Sequence, residues 1–393
     1  MGGLPVHQEL RPGNLEQVSA TMRGSARGRE ALQVEVLPAI EPVGAQWAGL
    51  AEGSGTVFKT RDWAAVWWRH FGQERRLLLV ALRSGDRLVG LVPLYLWRAH
   101  PLRVLRFVGH GPGDELGPIC AAADRALVGS ALRRALASMD WDLLVGEQLP
   151  AEQDWGGWLG GRVLQQEGSP VLRFGPDGWE GFLRTRTPNF REQVRRRPRK
   201  LAREHRVRYR LVDRSCDLQR ELDVVFGLHA ARWPGGSRFL ADERFHRSFA
   251  AVALARGWLR LWLLEADGQA VAALYGFRFA GTECYYQAGR DPAWDDYRVG
   301  FVLLVHAIQC AAEDGVAEYR LLRGGEAYKY RFATADPGLE TIGAARGRPA
   351  RAALMLLAGS RALPGPVGAA SRRLVSAFAG TAGAAAAAPE QPR

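Results

Sequence analysis

The feature that most constrains the fold is an order of elements that occurs twice along the chain: a β-hairpin, a third strand, a helix and a final strand. Each hairpin has a polar turn, Ser84-Gly85-Asp86 in the first copy and Ala266-Asp267-Gly268 in the second. The predicted elements of the first copy are 77–82, 87–96, 103–108, 123–138 and 141–145. Those of the second copy are 259–264, 270–279, 283–288, 299–314 and 318–322.

The two copies are offset by about 176 to 182 residues, which is too long for a solenoid repeat and typical of a duplicated domain. We therefore predict an α/β protein with mixed sheets and two tandem lobes. The predicted parts are a disordered leader at 1–30, an N-terminal lobe at 31–175, a C-terminal lobe at 176–342 and a tail rich in Ala, Gly, Pro and Arg at 343–393.

Composition argues against several classes of protein. Hydrophobic residues make up 47% of the chain, which is enough for packed cores. The four cysteines form no Cys-x-x-Cys pair and no Cys/His cluster, so neither a disulfide framework nor a metal site is expected. No basic-then-apolar signal begins the chain, and no apolar run approaches the ~20 residues of a membrane span. The expected compartment is the cytoplasm.

Most of the net charge of +12 lies in one segment, 184–210, which holds twelve Lys and Arg against Glu192 and Glu204. Such a segment suits nucleic acid, an anionic membrane surface, or a polyanionic substrate or cofactor. Of the macromolecular partners, we expect an anionic membrane surface rather than nucleic acid. Pro198 interrupts the helical pattern of this segment and is predicted to kink or end the helix.

The densest cluster of reactive side chains follows the last strand of the second copy. The stretch 319–332 breaks at two glycines and then carries Glu326, Tyr328 and Lys329, as α/β folds do where they present chemistry at a sheet edge. Lys329 is one of only three lysines, against 50 arginines. The first copy ends at Gly146 without a Tyr-Lys pair. We therefore predict an active C-terminal lobe and a degenerate N-terminal lobe; the alternative is a polar loop that closes the fold.

The N-terminal lobe has a glycine-rich loop after its third strand, at 109–114. His110, Asp114 and Glu115 in or beside this loop are candidates to face a cleft between the lobes. A turn-forming role for Asp114 is the alternative.

Several segments together resemble one family of acyltransferases. They are Gly324-Gly325-Glu326-Ala327-Tyr328-Lys329, Leu228-His229-Ala230-Ala231-Arg232-Trp233, Val271-Ala272-Ala273-Leu274-Tyr275-Gly276-Phe277, Tyr285-Tyr286-Gln287-Ala288-Gly289 and, in the N-terminal lobe, Leu88-Val89-Gly90-Leu91-Val92-Pro93-Leu94. Over residues 45–335 the chain resembles the BioF2-like and CelD-type acetyltransferases, a branch of the Gcn5-related N-acetyltransferase (GNAT) superfamily. It is more distantly similar to the tandem-lobed Fem-type aminoacyltransferases, which use aminoacyl-tRNA as donor.

The resemblance implies transfer of an acyl group from an acyl-CoA, acetyl-CoA in the first place, to an amine or hydroxyl acceptor. The acceptor is expected to be a small molecule or to be linked to a glycan, as in polysaccharide or cell-envelope biosynthesis. In this fold the third strand polarises the donor carbonyl, and the next helix offers backbone N–H groups to a pyrophosphate. The usual phosphate loop of the family, Arg/Gln-x-x-Gly-x-Gly/Ala, is incomplete here. The implied cofactor-binding residues are Tyr286, Gln287, Arg298, Val299, Gly300 and Phe301.

Acyl transfer from a thioester needs an acid for the leaving thiolate and a base for the acceptor. Tyr328 is the first candidate for the acid and Tyr330 the second, while Lys329 is expected to bind phosphate or to orient Glu326. The candidate bases are Glu283, Asp291 and His229, the last of which is also explained as a core residue on an apolar stripe. The candidate substrate-binding residues are Asp114, Trp233 and Arg323.

Two other functions are compatible with the sequence. A Fem-like enzyme would use the basic segment 184–210 to hold aminoacyl-tRNA. A protein without catalytic activity would use it to dock on nucleic acid or anionic lipid, with binding that depends steeply on salt.

Overall fold

The computed structural model describes residues 31–362, and within that range the chain forms one eight-stranded and one six-stranded sheet. The predicted leader at 1–30 and residues 363–393 of the predicted tail lie outside the described residues. The strands are β1 (Gln33–Leu37), β2 (Arg75–Ser84), β3 (Arg87–Ala99), β4 (Leu102–Phe107), β5 (Ile119–Cys120), β6 (Leu143–Pro150), β7 (Arg162–Glu167), β8 (Val171–Arg173), β9 (Val207–Leu211), β10 (Leu259–Ala266), β11 (Gln269–Phe279), β12 (Thr282–Arg290), β13 (Glu318–Arg320) and β14 (Leu339–Ala345).

Helices connect and cover the two sheets. They are α1 (Gly44–Glu52), α2 (Arg61–Phe71), α3 (Arg125–Ser138), α4 (Trp155–Leu159), α5 (Gly178–Arg184), α6 (Pro188–Glu204), α7 (Leu218–Arg232), α8 (Arg238–Ala241), α9 (Glu243–Ala255), α10 (Val299–Glu313), α11 (Ala327–Tyr330) and α12 (Gly347–Ala362).

The first sheet has the order β1-β2-β3-β4-β6-β14-β7, with β5 paired to β3. Its β2–β3 hairpin is the one predicted from the alternating apolar segments, and Gly85 takes a positive φ of 57° in the turn, which costs a glycine no Cβ clash. The middle residues of both strands are buried because α1 packs on β3 and α3 packs on β2.

The second sheet has the order β8-β13-β12-β11-β10-β9. Apolar side chains of α7 and α9 belong to a hydrophobic core that also contains the first lobe. α5, α6 and α10 form a second core with the remaining buried side chains of the second sheet. The hairpin, third strand, helix and final strand predicted for the second copy are all present. The sheet therefore has a helical layer on each face.

The two sheets exchange strands. β14 follows the last elements of the second sheet, yet it lies in the first sheet between β6 and β7, antiparallel to both. β8 precedes most of the second sheet and pairs with β13 at its edge. The predicted boundary between the lobes lies between residues 175 and 176. β8 precedes this boundary but belongs to the second sheet, and β14 follows it but belongs to the first.

A shared aromatic core holds the lobes together. Trp63 of α2 is fully buried, and its ring lies 5.0 Å from that of Phe245 and 4.6 Å from that of Phe249, both on α9. Phe58, just before α2, lies 5.6 Å from the ring of Tyr286 on β12. This continuous packing fixes the position of one lobe against the other.

The helix in the basic segment does not end at Pro198. α6 continues from Pro188 to Glu204, although proline removes one hydrogen bond from the helix interior. Val194 and Leu201, on either side of the proline, are buried in the second core. Tertiary packing on both sides of the proline accounts for the continuity that local preference disfavours.

An opening separates β12 from the end of β13. These parallel strands pair only over Thr282–Cys284 and Glu318–Arg320. β13 then ends, and the chain turns away through Leu322, which has a positive φ of 56°. β12 continues to Arg290 with β11 along its other side. The result is a wedge with one backbone edge of β12 exposed inside it.

Candidate active site

The exposed edge of β12 carries hydrogen-bond donors. Successive residues of a strand point their N–H groups to opposite sides. The N–H of Asp291 donates to the Val271 carbonyl on β11 at 2.9 Å, so the N–H groups of Arg290 and Ala288 point away from β11. They are directed into the opening. A fixed N–H at this edge suits a carbonyl oxygen that gains negative charge.

A β-bulge at Tyr286 sets the directions of the neighbouring side chains. Tyr275 pairs with Gln287 and Gly276 pairs with Tyr285, so Tyr286 is an extra residue on β12. Its side chain enters the interface between the lobes, where the hydroxyl donates to the Pro112 carbonyl at 2.6 Å. The side chain of Tyr286, predicted to bind the cofactor, therefore packs between the lobes, whereas Tyr285 is directed toward α11.

Tyr328 on α11 faces Tyr285, with 3.4 Å between the two hydroxyl oxygens. Burial, and then the neighbouring Tyr285, raise the pKa of Tyr328 well above its ordinary value. The phenol is therefore protonated at neutral pH and is a proton donor. Arg232, at the end of α7, is close enough to interact electrostatically with it.

Lys329 holds the turn that leads from β13 to α11. Its buried ammonium donates to the carbonyl oxygens of Arg323 at 2.5 Å and Leu322 at 3.4 Å, and it pairs with the Glu326 carboxylate at 3.0 Å. These carbonyl groups lie in a turn, where neither a strand nor a helix supplies donors for them. Lys329 thus fixes the shape of the turn that carries Tyr328.

His229 reaches the open edge of β12 from α7. Its Nδ1 lies 3.0 Å from the Ala288 carbonyl oxygen and must donate to it, so Nε2 accepts from the Ser237 hydroxyl at 2.9 Å. Burial lowers the pKa of His229 to about 4, and the ring is neutral at physiological pH. Gly289 allows this approach, because a Cβ there would lie 2.4 Å from the backbone nitrogen of His229.

The other two candidate bases are engaged elsewhere. The buried carboxylate of Glu283 accepts from Arg278 at 2.7 Å and pairs with Arg260 at 3.6 Å, in the part of β12 that is covered by β13. Asp291 accepts from the N–H of Ala293 at 2.9 Å and begins the 3-10 turn that precedes α10. His229 is the candidate whose ring touches the open edge.

A polar network from both lobes lines the base of the turn. Asp114 is buried, and its carboxylate lies 3.4 Å from both the Nε and the backbone N of Arg323. Gln148 connects Arg323 to Glu167. Its amide oxygen accepts from Arg323 Nη1 at 3.1 Å, and its amide nitrogen donates to the Glu167 carboxylate at 2.8 Å. Burial raises the pKa of both Asp114 and Glu167. The predicted substrate residues Asp114 and Arg323 are thus brought together as an interlobe pair.

The N-terminus of α10 lies in the same lobe. Arg298 precedes the helix in a left-handed conformation with a φ of 53°. The N–H groups of Val299, Gly300 and Phe301 in the first turn have no partner within the helix and, with its dipole, favour an anion. A Cβ on Gly300 would meet the side chain of Arg290 at 3.5 Å, an ordinary contact, so the glycine is not required by packing.

Basic side chains of α6 surround this helix start. Arg197 lies 5.9 Å from the ring centroid of Phe301, and Lys200 lies 4.8 Å from that of Tyr297. The aromatic rings hold the two cations beside the first turn of α10. Helix N–H groups and cations together form a site suited to phosphate groups.

The two remaining candidates are Trp233, next to Arg232, and Tyr330, on α11. Trp233 caps the end of α7, and the guanidinium of Arg232 lies 5.4 Å from its ring. Tyr330 is 44% exposed, and its hydroxyl donates to Asp336 at 2.6 Å, which raises its pKa to about 12. Of the two tyrosines in α11, Tyr328 is the one that faces β12.

Sequence reasoning missed three residues of this site: Tyr285, Arg232 and Ser237. The first two belong to the segments that carry the family resemblance, but no pattern indicates the bulge that turns Tyr285 toward α11. Ser237 is visible in the sequence only as a helix N-cap, and it accepts from the N–H of Leu240 at 3.3 Å.

Residues 188–330 match a family model described as an acetyltransferase (GNAT) domain. This part of the chain belongs to the GNAT superfamily. The GNAT domain begins with α6 and ends with α11, so it contains the open edge of β12, the start of α10 and the pair Tyr328 and Lys329. It is an acyltransferase domain by family.

Three solved structures share the fold over most of both chains. FemX is 9% identical with a TM-score of 0.57, over 78% of this chain and 97% of its own. The C-terminal domain of a putative lysylphosphatidylglycerol synthetase from Agrobacterium fabrum is 13% identical with a TM-score of 0.52, over 81% and 95%. L-PGS from Bacillus licheniformis is 14% identical with a TM-score of 0.51, over 82% and 96%. The fold is thus α/β with two tandem GNAT-like lobes.

No curated protein matches the sequence. Within residues 31–362, none of the helices has the length and apolarity that crossing a membrane requires. The same range contains no group of three or more His, Cys, Asp or Glu side chains placed to hold a metal ion.

Proposed function

We propose that the GNAT domain transfers an acyl group from an acyl-CoA, acetyl-CoA in the first place, to an amine or hydroxyl of a small-molecule or glycan-linked acceptor. The observation that carries this proposal is the wedge between β12 and β13, which combines the N–H of Ala288 with the phenol of Tyr328. Motif resemblance favours the BioF2-like and CelD-type branch and a role in polysaccharide or cell-envelope biosynthesis.

In the proposed reaction, the first turn of α10 with Arg197 and Lys200 holds the diphosphate of the donor. The thioester lies along the open edge of β12, where the N–H of Ala288 donates to its carbonyl oxygen. The acceptor attacks the carbonyl carbon, a new C–N or C–O bond forms, and the C–S bond breaks. Tyr328 gives its proton to the departing thiolate.

His229 has two tasks in this scheme. Its Nδ1–H holds the Ala288 carbonyl and so fixes the strand edge that binds the donor. Its Nε2 accepts from Ser237, which gives the acceptor's proton a path away from the reacting atoms. The pKa of His229 is about 4, so the ring is a weak base. It takes up the proton only after the acceptor's nitrogen or oxygen has bonded to the carbonyl carbon, because that bond makes the proton strongly acidic.

Titration calorimetry with acetyl-CoA, longer acyl-CoA thioesters and free CoA tests the donor. Binding of at least one thioester by folded protein supports the proposal. If circular dichroism shows folded protein and none of these compounds binds, acyl-CoA dependence is rejected.

A Fem-like transfer from aminoacyl-tRNA is the second candidate. It is favoured by the fold shared with FemX and by the solvent-facing arginines of α6, Arg195, Arg196 and Arg199. An assay with charged tRNA and labelled amino acid decides this point. Sedimentation with anionic and neutral vesicles tests the further proposal that 184–210 contacts an anionic membrane surface.

A further inference from the structure

A second cavity, of about 220 Å³, lies at the seam between the lobes. Its walls include Lys59, Glu115 and Cys120 from the first lobe and Arg320 from β13, but not Tyr328 or His229. At about 30 Å³ per water molecule, it has room for about seven waters or an organic molecule of that bulk. It is separate from the wedge in which acyl transfer is proposed.

Three carboxylates line this cavity, those of Glu115, Glu152 and Glu318, and arginines neutralise Glu115 and Glu318. Arg320 donates to Glu115 and to Glu318, each at 2.7 Å, and Arg173 donates to Glu318 at 2.8 Å. The cation of Lys59 is not neutralised in this way. Within residues 31–362, neither Lys59 nor Arg125 on the same wall forms an ion pair with a carboxylate.

Lys59 is an unusual side chain for a buried position. Only 5% of it is exposed, yet among the described residues its ammonium has one hydrogen-bond acceptor, the Pro118 carbonyl oxygen at 3.4 Å. A buried ammonium with unused donors costs free energy unless a partner satisfies it. A bound anion next to the ammonium would supply the missing acceptors and the counter-charge.

Ser169 provides an independent indication. Its side chain lines the cavity and is 1% exposed, and its hydroxyl has no hydrogen-bond partner among the residues that the structure describes. Its backbone N–H is already held by Asp336 at 2.8 Å, which fixes the residue in place. The unpaired hydroxyl is available to a polar ligand.

We propose that this cavity binds a small organic anion bearing a carboxylate or phosphate, with Lys59 as its counter-charge and Ser169 as a hydrogen-bonding partner. Cys120 does not act as a nucleophile there, because burial raises the pKa of its thiol to about 11 and keeps it protonated. The cavity is thus a binding site and not a second catalytic centre. This inference does not depend on the acyl donor.

Titration calorimetry of the full chain with succinate, inorganic phosphate and neutral succinamide tests the proposal and separates carboxylate from phosphate ligands. We expect at least one anion to bind, succinamide not to bind, and Lys59→Met to weaken the anion at least tenfold. Ser169→Ala should weaken it less. Arg134→Met, a matched change of an exposed cation on α3, should have no effect, and acetyl-CoA binding should be unchanged by Lys59→Met.

The absence of any anion binding would overturn the proposal, and so would binding that Lys59→Met leaves intact. If Lys59→Met does not fold, succinate affinity of the unaltered protein between pH 7 and 9 decides. Burial lowers the pKa of Lys59 to about 8, and the charged or titratable groups that face it are Glu115, Cys120, Arg320 and Arg125. Burial raises the pKa of the Cys120 thiol to about 11, so this thiol stays protonated over the range. Affinity should fall as the pH rises through 8; a flat profile contradicts the proposal.

Discussion

The hydroxyl groups of the two tyrosines in α11 have different surroundings, and this difference gives a matched pair of variants. Tyr328→Phe removes a buried phenol that faces β12, whereas Tyr330→Phe removes an exposed phenol bound to Asp336. If Tyr328 protonates the leaving thiolate, its loss should reduce kcat by about 100-fold or more, the usual range for a lost general acid. Steady-state kinetics with the thioester that binds would measure this.

The KM for the donor should change little in Tyr328→Phe, because the hydroxyl acts on the leaving group during reaction. Its melting temperature should also stay the same, since the removed hydroxyl has only a long contact with Tyr285. Tyr330→Phe should keep near-normal kcat. Full activity of Tyr328→Phe, or an equal loss in both variants, would remove Tyr328 from the mechanism.

Lys329 has contacts that predict a cost in stability when it is replaced. Lys329→Met keeps much of the buried volume but leaves the carbonyls of Leu322 and Arg323 without their donor. We expect the free energy of unfolding to fall by about 1–3 kcal/mol, the cost of unsatisfied buried polar groups. Chemical denaturation would measure the loss.

Glu326→Gln is the control for Lys329, because it removes only the exposed partner of the ammonium. A surface ion pair contributes about 0–1 kcal/mol, so this variant should be nearly as stable as the unaltered chain. If Lys329→Met is equally stable but inactive, the lysine acts directly on the substrate. The rarity of lysine in the sequence singled out the position, but only the turn geometry shows what the ammonium holds.

At the scale of elements, α6 presents two sets of cations with different positions. Arg197 and Lys200 lie against the rings of Phe301 and Tyr297 at the start of α10, whereas Arg195 and Arg199 are exposed and have no such ring contact among the described residues. Neutralising the first pair to glutamine should raise the KM for acyl-CoA about tenfold, and neutralising the second pair should leave it nearly unchanged. The physical reason is distance: cations held against rings next to a helix N-terminus act on a bound anion at short range, whereas charges elsewhere on the helix act through solvent and salt that screen them.

The two double variants remove the same charge from the same helix, so the comparison controls for net charge. Equal effects of both pairs would indicate diffuse attraction to a larger polyanion and favour the aminoacyl-tRNA alternative. A salt titration of donor binding would separate these cases, because a larger number of phosphate contacts gives a steeper dependence on salt.

The elements themselves were largely predictable from local pattern. Polar turns between apolar segments located both hairpins, and the apolar helix expected at 299–314 is α10 at Val299–Glu313. Pro198 was predicted to kink or end the helix, and α6 does not end there, because Val194 and Leu201 on either side of it are buried. The local pattern also gave no sign of the bulge at Tyr286, because an extra strand residue depends on pairing with β11 and not on its own chemistry.

At the scale of the whole molecule, the least predictable feature is the strand exchange. Segments that are neighbours in sequence usually pair with each other, and this tendency favours pairing of β14 with the second sheet. The structure places it in the first sheet, where Ile342 is fully buried between β6 and β7. Side chains of the first lobe decide this placement, and they are about 200 residues away in sequence.

The exchange predicts that the two lobes unfold as one cooperative unit. Ile342→Ala creates a cavity in the first sheet and should lower the free energy of unfolding by about 2–5 kcal/mol. Because β14 is joined to the second sheet through the turn that carries Tyr328, and because Trp63 and Phe249 pack across the lobes, this loss should appear in both sheets. Hydrogen exchange of β3 and β11 would show equal losses of protection.

Val163→Ala is the matched control for this experiment. Val163 pairs with Ile342 across the ladder between β7 and β14, but it is 41% exposed, so its truncation should cost far less. Calorimetry of the unaltered chain should show one transition whose calorimetric and van't Hoff enthalpies agree. Two separate transitions, or a loss of protection in Ile342→Ala confined to the first sheet, would show that the lobes are independent despite the shared strand. A single transition would mean that a destabilising substitution in the first lobe also lowers the stability of the second lobe, because the turn that carries Tyr328 lies between the two sheets that β14 connects.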